Sequence, residues 1–235
     1  MDPIESPVWN EPARVIAPIL LYHHIENTPF SSRLYISTAT FNSQLNILKM
    51  NGYASISVAQ LAKSLKTGSP LPQRSVVITF DDGNADVYEN AYPIMKEFGY
   101  TGTIYVIAGR LKTGGYLNKD QIQKLVSEGW ELGSNGMNQI AINYHYASVW
   151  GEVAESRKKL EKTIGVPVET FSYPYGITDG VIQKVVKDNY KTGVTQGKSI
   201  RHILESIYTL SRIEITNEMD LDTFESILPW KGELI

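Results

Sequence analysis

The sequence predicts an α/β fold, a distorted and incomplete (β/α) barrel of about seven units. Two observations carry that expectation. Strand-like and helix-like segments alternate through almost all of the 235 residues, without an internal linker or repeat. That pattern calls for parallel strands wrapped by helices. The run Val76-Val77-Ile78-Thr79-Phe80 is wholly β-branched or aromatic, as in a strand buried on both faces, and it ends in Asp81-Asp82-Gly83. About seven units are too many for a small open sheet and few for a regular eight-fold barrel. In either architecture the chemistry sits at the strand carboxyl ends, so the paired acids mark the expected site.

Taken in order, residues 1–13 are Pro-rich and polar and read as a tail or linker, leaving 14–235 as one domain. Residues 15–22 form a first buried strand ending in His23-His24. Phe41, Leu45 and Leu48 recur at helical spacing before Gly52, which is a plausible stop. A short strand at 54–57 and a helix at 58–66 lead through a Gly/Pro loop to the strand that carries Asp81 and Asp82. A helix at 85–98 follows, with Tyr88, Ala91, Tyr92 and Met95 on its apolar stripe. Residues 101–107 are strand-like, and Asn118 is a good N-cap for a helix stopped by Gly129. A strand at 130–133, a long helix at 149–164 and a strand at 170–173 come next. Helices at 181–187 and 221–228 and strands at 192–195 and 210–216 complete the alternation. The Gly-Ile-Thr-Asp stretch at 176–179 reads as a turn and N-cap, and the charge run at 155–162 as a solvated helix face.

Composition narrows the function classes. A hydrophobic content of 42% suffices for a sizeable core, and the net charge of -3 argues against a nucleic-acid binder. No apolar run approaches a membrane span. With no cysteine, disulfides, thiolate metal sites and cysteine nucleophiles are excluded together. Residues 1–7 lack the basic and apolar regions of a signal peptide, and read as a cytoplasmic start or a chain trimmed of its leader. Two adjacent carboxylates at a buried strand end need a cation, donors or a proton to offset their repulsion, so the pair looks like half of a metal-hydrolase site.

Thr79-Phe80-Asp81-Asp82-Gly83, Glu131-Leu132-Gly133-Ser134 and Phe171-Ser172-Tyr173-Pro174-Tyr175-Gly176 occur in that order. Together they resemble the polysaccharide deacetylases, carbohydrate esterase family 4. The likeness extends to residues 18–25, Gly52-Tyr53 and Leu210-Ser211-Arg212-Ile213, and is strongest to the branch that deacetylates exopolysaccharide poly-N-acetylglucosamine. The resemblance implies a distorted barrel. It also implies metal-dependent hydrolysis of N-acetyl groups on amino-sugar polymers, outside the cell or in its envelope. By position Asp81 would be the general base, Arg212 its support, Asp82 a ligand of a zinc-type divalent metal, and the Tyr175 backbone N–H an oxyanion donor. Pro174 and Tyr175 would shape the wall of the sugar cleft, Tyr173 would be a further binding residue, and His23 and His24 would border the site.

The resemblance also calls for two histidine ligands after Ser134, in a His-Thr-x-x-His spacing. This chain has Asn135-Gly136-Met137-Asn138-Gln139, so amides stand at both positions. An amide oxygen is neutral and a poorer partner for Zn²⁺ than an imidazole nitrogen. His23, His24 and His145 are the histidines that could approach the site; His202, beside Arg201, looks unconnected to it. Two function classes follow: a hydrolase with an unusually assembled metal, or a barrel that binds glycans or partners without catalysis.

Overall fold

The computed structural model describes residues 14–28, 32–139 and 149–232, so the tail at 1–13 and His145 lie outside the described residues. Seven strands form the barrel: β1 (Ile19–Tyr22), β2 (Ser75–Phe80), β3 (Thr103–Val106), β4 (Glu131–Ser134), β5 (Thr170–Ser172), β6 (Thr192–Gln196) and β7 (Leu210–Glu214). Each pairs in parallel with its chain neighbours, and β7 pairs with β1, which closes the ring in sequence order. The barrel is one unit short of eight. Its weakest seam is β4 with β5, joined by the single pair Ser134 and Phe171.

Helices follow the strands: α1 (Thr38–Met50), α2 (Val58–Thr67), α3 (Tyr92–Phe98), α4 (Lys119–Ser127), α5 (Ser156–Ile164), α6 (Gly180–Asn189) and α7 (Leu221–Ser226). Local chemistry sets their ends. Asn118 caps α4 and Ser57 caps α2, each in a reciprocal box with a glutamine three residues on. Asp179 accepts from the backbone of Val181 and Ile182 and starts α6, so the 176–179 stretch is the expected turn and cap. The helices expected at 85–98 and 149–164 are both present, but each contains a widened π turn, Val87–Ala91 and Gly151–Glu155.

Strand alternation divides the core in two. Val76, Ile78 and Phe80 join Phe41, Leu45, Met95 and other helix residues in the larger cluster between sheet and helices. Val77 instead meets Ile19, Tyr105, Val194 and Leu210, and this second cluster includes Val58, Leu61 and Leu65 of α2. Helix α2 thus plugs the end of the barrel where the strands begin. Its first turn is held by the Glu131 carboxylate, which accepts from the Ala59 N–H at 3.0 Å. With one end plugged, the polar residues of the strand carboxyl ends face the other, open mouth.

Candidate functional site

Asp81 leaves β2 with its N–H donated to the Tyr22 carbonyl at 3.0 Å. Its side chain meets Arg212 of β7 in a two-pronged ion pair, Nη1 to Oδ1 at 2.6 Å and Nη2 to Oδ2 at 2.8 Å. Arg212 is fully buried. Burial alone would lower its pKa, but the Asp81 charge and hydrogen bonds outweigh that and raise it. Ser172 of β5 donates to Asp81 Oδ2 at 2.9 Å and accepts from Arg212 Nη2 at 2.8 Å. Thr79 accepts from Nη1 at 3.3 Å and passes its own proton to the Leu20 carbonyl. Every polar atom of this small network has a partner, which is what makes a buried ion pair tolerable.

Asp82 turns the other way. It adopts φ 71°, a left-handed backbone that non-glycine residues rarely take. Its Oδ1 accepts hydrogen bonds from the Asn135 side-chain nitrogen at 3.0 Å and from the Gln139 side-chain nitrogen. Burial and then the neighbouring Asp81 charge raise its pKa; His23, the Gln139 hydrogen bond and His24 offset this only in part. Asn135 is buried at the end of β4, its N–H donated to the Val106 carbonyl at 3.0 Å, and its own Oδ1 finds no donor.

The loop that presents Gln139 is fixed from below by Glu152. This buried carboxylate accepts from the N–H groups of Met137 at 3.0 Å and Asn138 at 2.9 Å, and from the Asn138 side chain at 3.0 Å. Gly136 must be glycine here: it sits at φ 85°, and a Cβ would lie 2.9 Å from Glu152 Oε2. Glu152 lies outside the motifs, yet the sequence carries a signal for it. It falls on the same helical face as Val149, Val153, Ser156 and Leu160, where an acid is out of place unless it is bonded. Ser172 carries the same kind of signal, a serine inside a buried strand.

The remaining expected residues are spread around the mouth. His23 is buried with its Nδ1 unpartnered, and its carbonyl accepts from Asn84. His24 hydrogen-bonds Asp86 Oδ2 through Nδ1 at 2.6 Å and stacks flat on Tyr35 at 4.1 Å. Tyr173 is fully buried, edge-on to Phe171, and burial pushes its hydroxyl pKa well up. Pro174 is buried beside it, whereas Tyr175 is 59% exposed and left-handed at φ 58°. His202 is bonded to the Ala17 carbonyl at 3.0 Å, near the start of β1, apart from these groups.

Asp82, Gln139 and Tyr175 are the non-glycine residues with positive φ among the described residues, and all three were expected at the site. Such backbone costs about 1–3 kcal/mol per residue and clusters at functional sites.

Comparison with known proteins bears on the family and the fold. A family model described as polysaccharide deacetylase matches residues 68–194. The Bacillus subtilis (strain 168) protein YxkH, whose name assigns it to polysaccharide deacetylases, is 26% identical over 216 residues, covering 91% of this chain and 76% of its own. The poly-β-1,6-N-acetyl-D-glucosamine N-deacetylase of Staphylococcus aureus is 27% identical over 219 residues, covering 84% of this chain and 72% of its own. Among solved structures, the Streptococcus pyogenes deacetylase PplD superposes with TM-score 0.85 at 24% identity, over 93% of this chain and 99% of that one. IcaB from Ammonifex degensii gives TM-score 0.80 at 20% identity, over 90% and 96%. These two establish the barrel fold. With the family model spanning more than half of its length, the chain belongs to the polysaccharide deacetylase family.

Proposed function

We propose that this chain binds N-acetylated amino-sugar polymers at the mouth of its barrel and does not hydrolyse them. The observation that carries this reading is the pair of amide N–H donors, from Asn135 and Gln139, converging on Asp82 Oδ1. A zinc-type ion needs electron-pair donors aimed at one point. Here two of the three groups at the family's ligand positions aim hydrogens at the third. Turning the amides over would offer neutral oxygens, a weak set for Zn²⁺. Calcium and magnesium bind oxygen but need more ligands, more of them charged. The donor set therefore does not fit the family's metal, and the amides serve instead to solvate the Asp82 carboxylate.

Ligand binding is supported by what the site leaves unsatisfied. Asn135 Oδ1 and His23 Nδ1 are buried polar atoms without partners among the described residues. Each such group costs about 1–3 kcal/mol until something pairs with it. An acetamido sugar supplies both an N–H and oxygens. The exposed ring of Tyr175, on a left-handed backbone beside Pro174, offers an apolar face for a pyranose. The choice of sugar polymer follows the substrate in the name of the Staphylococcus aureus relative. A polymer of that kind supports a location outside the cell or in its envelope. No helix among the described residues is long and apolar enough to cross a membrane.

One observation favours hydrolysis as a second reading. The Asp81, Arg212 and Ser172 network that would hold a general base is complete. Titration calorimetry with β-1,6-linked N-acetylglucosamine oligomers, with and without chelator, tests the binding reading. Binding should persist in chelator and should weaken roughly tenfold in Tyr175→Ala, a loss near 1.4 kcal/mol. No detectable binding by the parent chain would remove the proposal.

A further inference from the structure

Beside the Asp82 position the fold assembles a second group of ligating side chains. A short strand (His24–Ile25) pairs with Tyr35–Ile36, and Glu26 follows directly, its N–H donated to the Ile36 carbonyl at 2.9 Å. Asp86 enters from the turn after β2. One ligating atom from each of His24, Glu26 and Asp86 lies within 4.8 Å of the others. Asp82 is not among that group.

Two of the three are already fixed. The Asp86 side chain is only 10% exposed, and the His24 ring is held between its bond to Asp86 and the flat stack on Tyr35. The His24 and Asp86 contact alone does not satisfy the cluster. Asp86 Oδ1 is buried and finds no donor among the described residues. No lysine or arginine there pairs with Glu26 or Asp86. The negative field is felt nearby: the Tyr35 hydroxyl has its pKa raised by burial, then by Glu26 and by Asp86. Two carboxylates facing one imidazole, one carboxylate oxygen orphaned and no cation at hand, make an unfinished coordination shell.

We propose that His24, Glu26 and Asp86 bind a zinc-type divalent cation, at a site separate from the one formed by Asp82, Asn135 and Gln139. One imidazole nitrogen and two carboxylates are a three-residue set that suits such an ion and leaves a coordination position free. Tetrahedral bonds of about 2.0–2.1 Å put ligand atoms roughly 3.3 Å apart, so the 2.6 Å contact of His24 with Asp86 must open slightly while Glu26 draws in. Glu26, the exposed member, supplies that movement. The free position opens towards a cleft of about 490 Å³ whose walls include Glu26, Asn27, Tyr35, Ser37, Thr40 and Asn217. A hydroxyl or acetamido oxygen of a sugar held in that cleft would complete the shell. That last step rests on the glycan-binding reading, whereas the cation site does not.

Zinc chloride alone, without glycan, titrated calorimetrically into the chelator-stripped and dialysed chain, tests the site. The parent should bind one equivalent. Glu26→Gln should weaken binding by about tenfold or more, since even residues that only support a metal ligand are worth 10–100-fold. Glu26 is exposed, so this variant should fold, and its circular dichroism and melting temperature should match the parent. Asp86→Asn should weaken binding at least as much. Asp82→Asn removes one nearby charge only and should keep the affinity within about threefold. The proposal is overturned if the parent shows no stoichiometric binding up to about 1 mM zinc, a free energy near 4 kcal/mol. It is equally overturned if Glu26→Gln binds like the parent, or if Asp82→Asn abolishes binding.

Discussion

At the scale of residues, Asp81 and Asp82 are adjacent carboxylates with opposite surroundings. Asp81 faces a permanent cation, and Asp82 faces neutral amides. Removing the cation should be severe. Arg212→Leu leaves Asp81 buried without its partner and should cost about 3–5 kcal/mol in urea unfolding. A loss below about 1 kcal/mol, typical of an exposed pair, would contradict the buried network. Asp82 predicts a pH dependence. Its pKa in the folded protein is raised, so the folded state holds the proton more tightly than the unfolded chain. Ionising it, as pH rises from the ordinary value of 3.8 through the raised one, therefore removes stability. Asparagine tolerates left-handed backbone and cannot ionise. Asp82→Asn should gain in melting temperature relative to the parent as pH rises through that window, and the gain should vanish below it. A difference that does not change with pH would show that the Asp82 charge is not the cause.

At the scale of elements, the site depends on a loop after β4 and a helix that never touches the mouth directly. The Glu152 carboxylate on the π turn before α5 fixes the backbone of Met137 and Asn138, which sets where Gln139 points. Glu152→Ala should lose these charge-assisted bonds and free the loop. The expected result is a loss of about 1–3 kcal/mol in stability with weaker glycan binding, while the Asp81 and Arg212 pair keeps the barrel closed. Calorimetry beside thermal melts separates the two effects. Some elements were legible because their signals are local. Asn118 and Ser57 cap α4 and α2 through glutamines three residues away, and the apolar run before Asp81 reads as a strand from its own residues. Asn118→Ala should accordingly cost about 1 kcal/mol without disturbing the site. For Glu152 the helical spacing shows an acid on a buried face, but its role depends on backbone groups 14 and 15 residues away.

At the scale of the whole molecule, strand alternation and the motif order were enough to read a barrel of about seven units with its site at the strand ends. Closure of β7 on β1 brings Arg212 to Asp81 across 131 residues of chain. The family motif suggested that pairing, but only register fixes its two-pronged geometry. The plug formed by α2 was invisible beforehand, because nothing in residues 58–67 shows which end of a barrel they cover. The cluster of His24, Glu26 and Asp86 depends likewise on the pairing of His24–Ile25 with Tyr35–Ile36. Asn135 and Gln139 could be read from spacing alone. Their hydrogen bonds to Asp82 required the left-handed turns at Asp82 and Gln139.

Restoring imidazoles separates a drifted scaffold from a simple loss of ligands. Asn135→His with Gln139→His should gain zinc affinity at the Asp82 position, measured against the parent by calorimetry with Glu26→Gln in both backgrounds. Absence of any gain would mean that the loop no longer directs residues 135 and 139 at one point. The most direct measurement is acetate released from N-acetylglucosamine oligomers by the unaltered chain, with zinc supplied, beside the Asp81→Asn variant. The amide clamp on Asp82 predicts no release above background and no difference between the two proteins. Sustained release by the parent that Asp81→Asn abolishes would contradict it, and would make this barrel a working deacetylase.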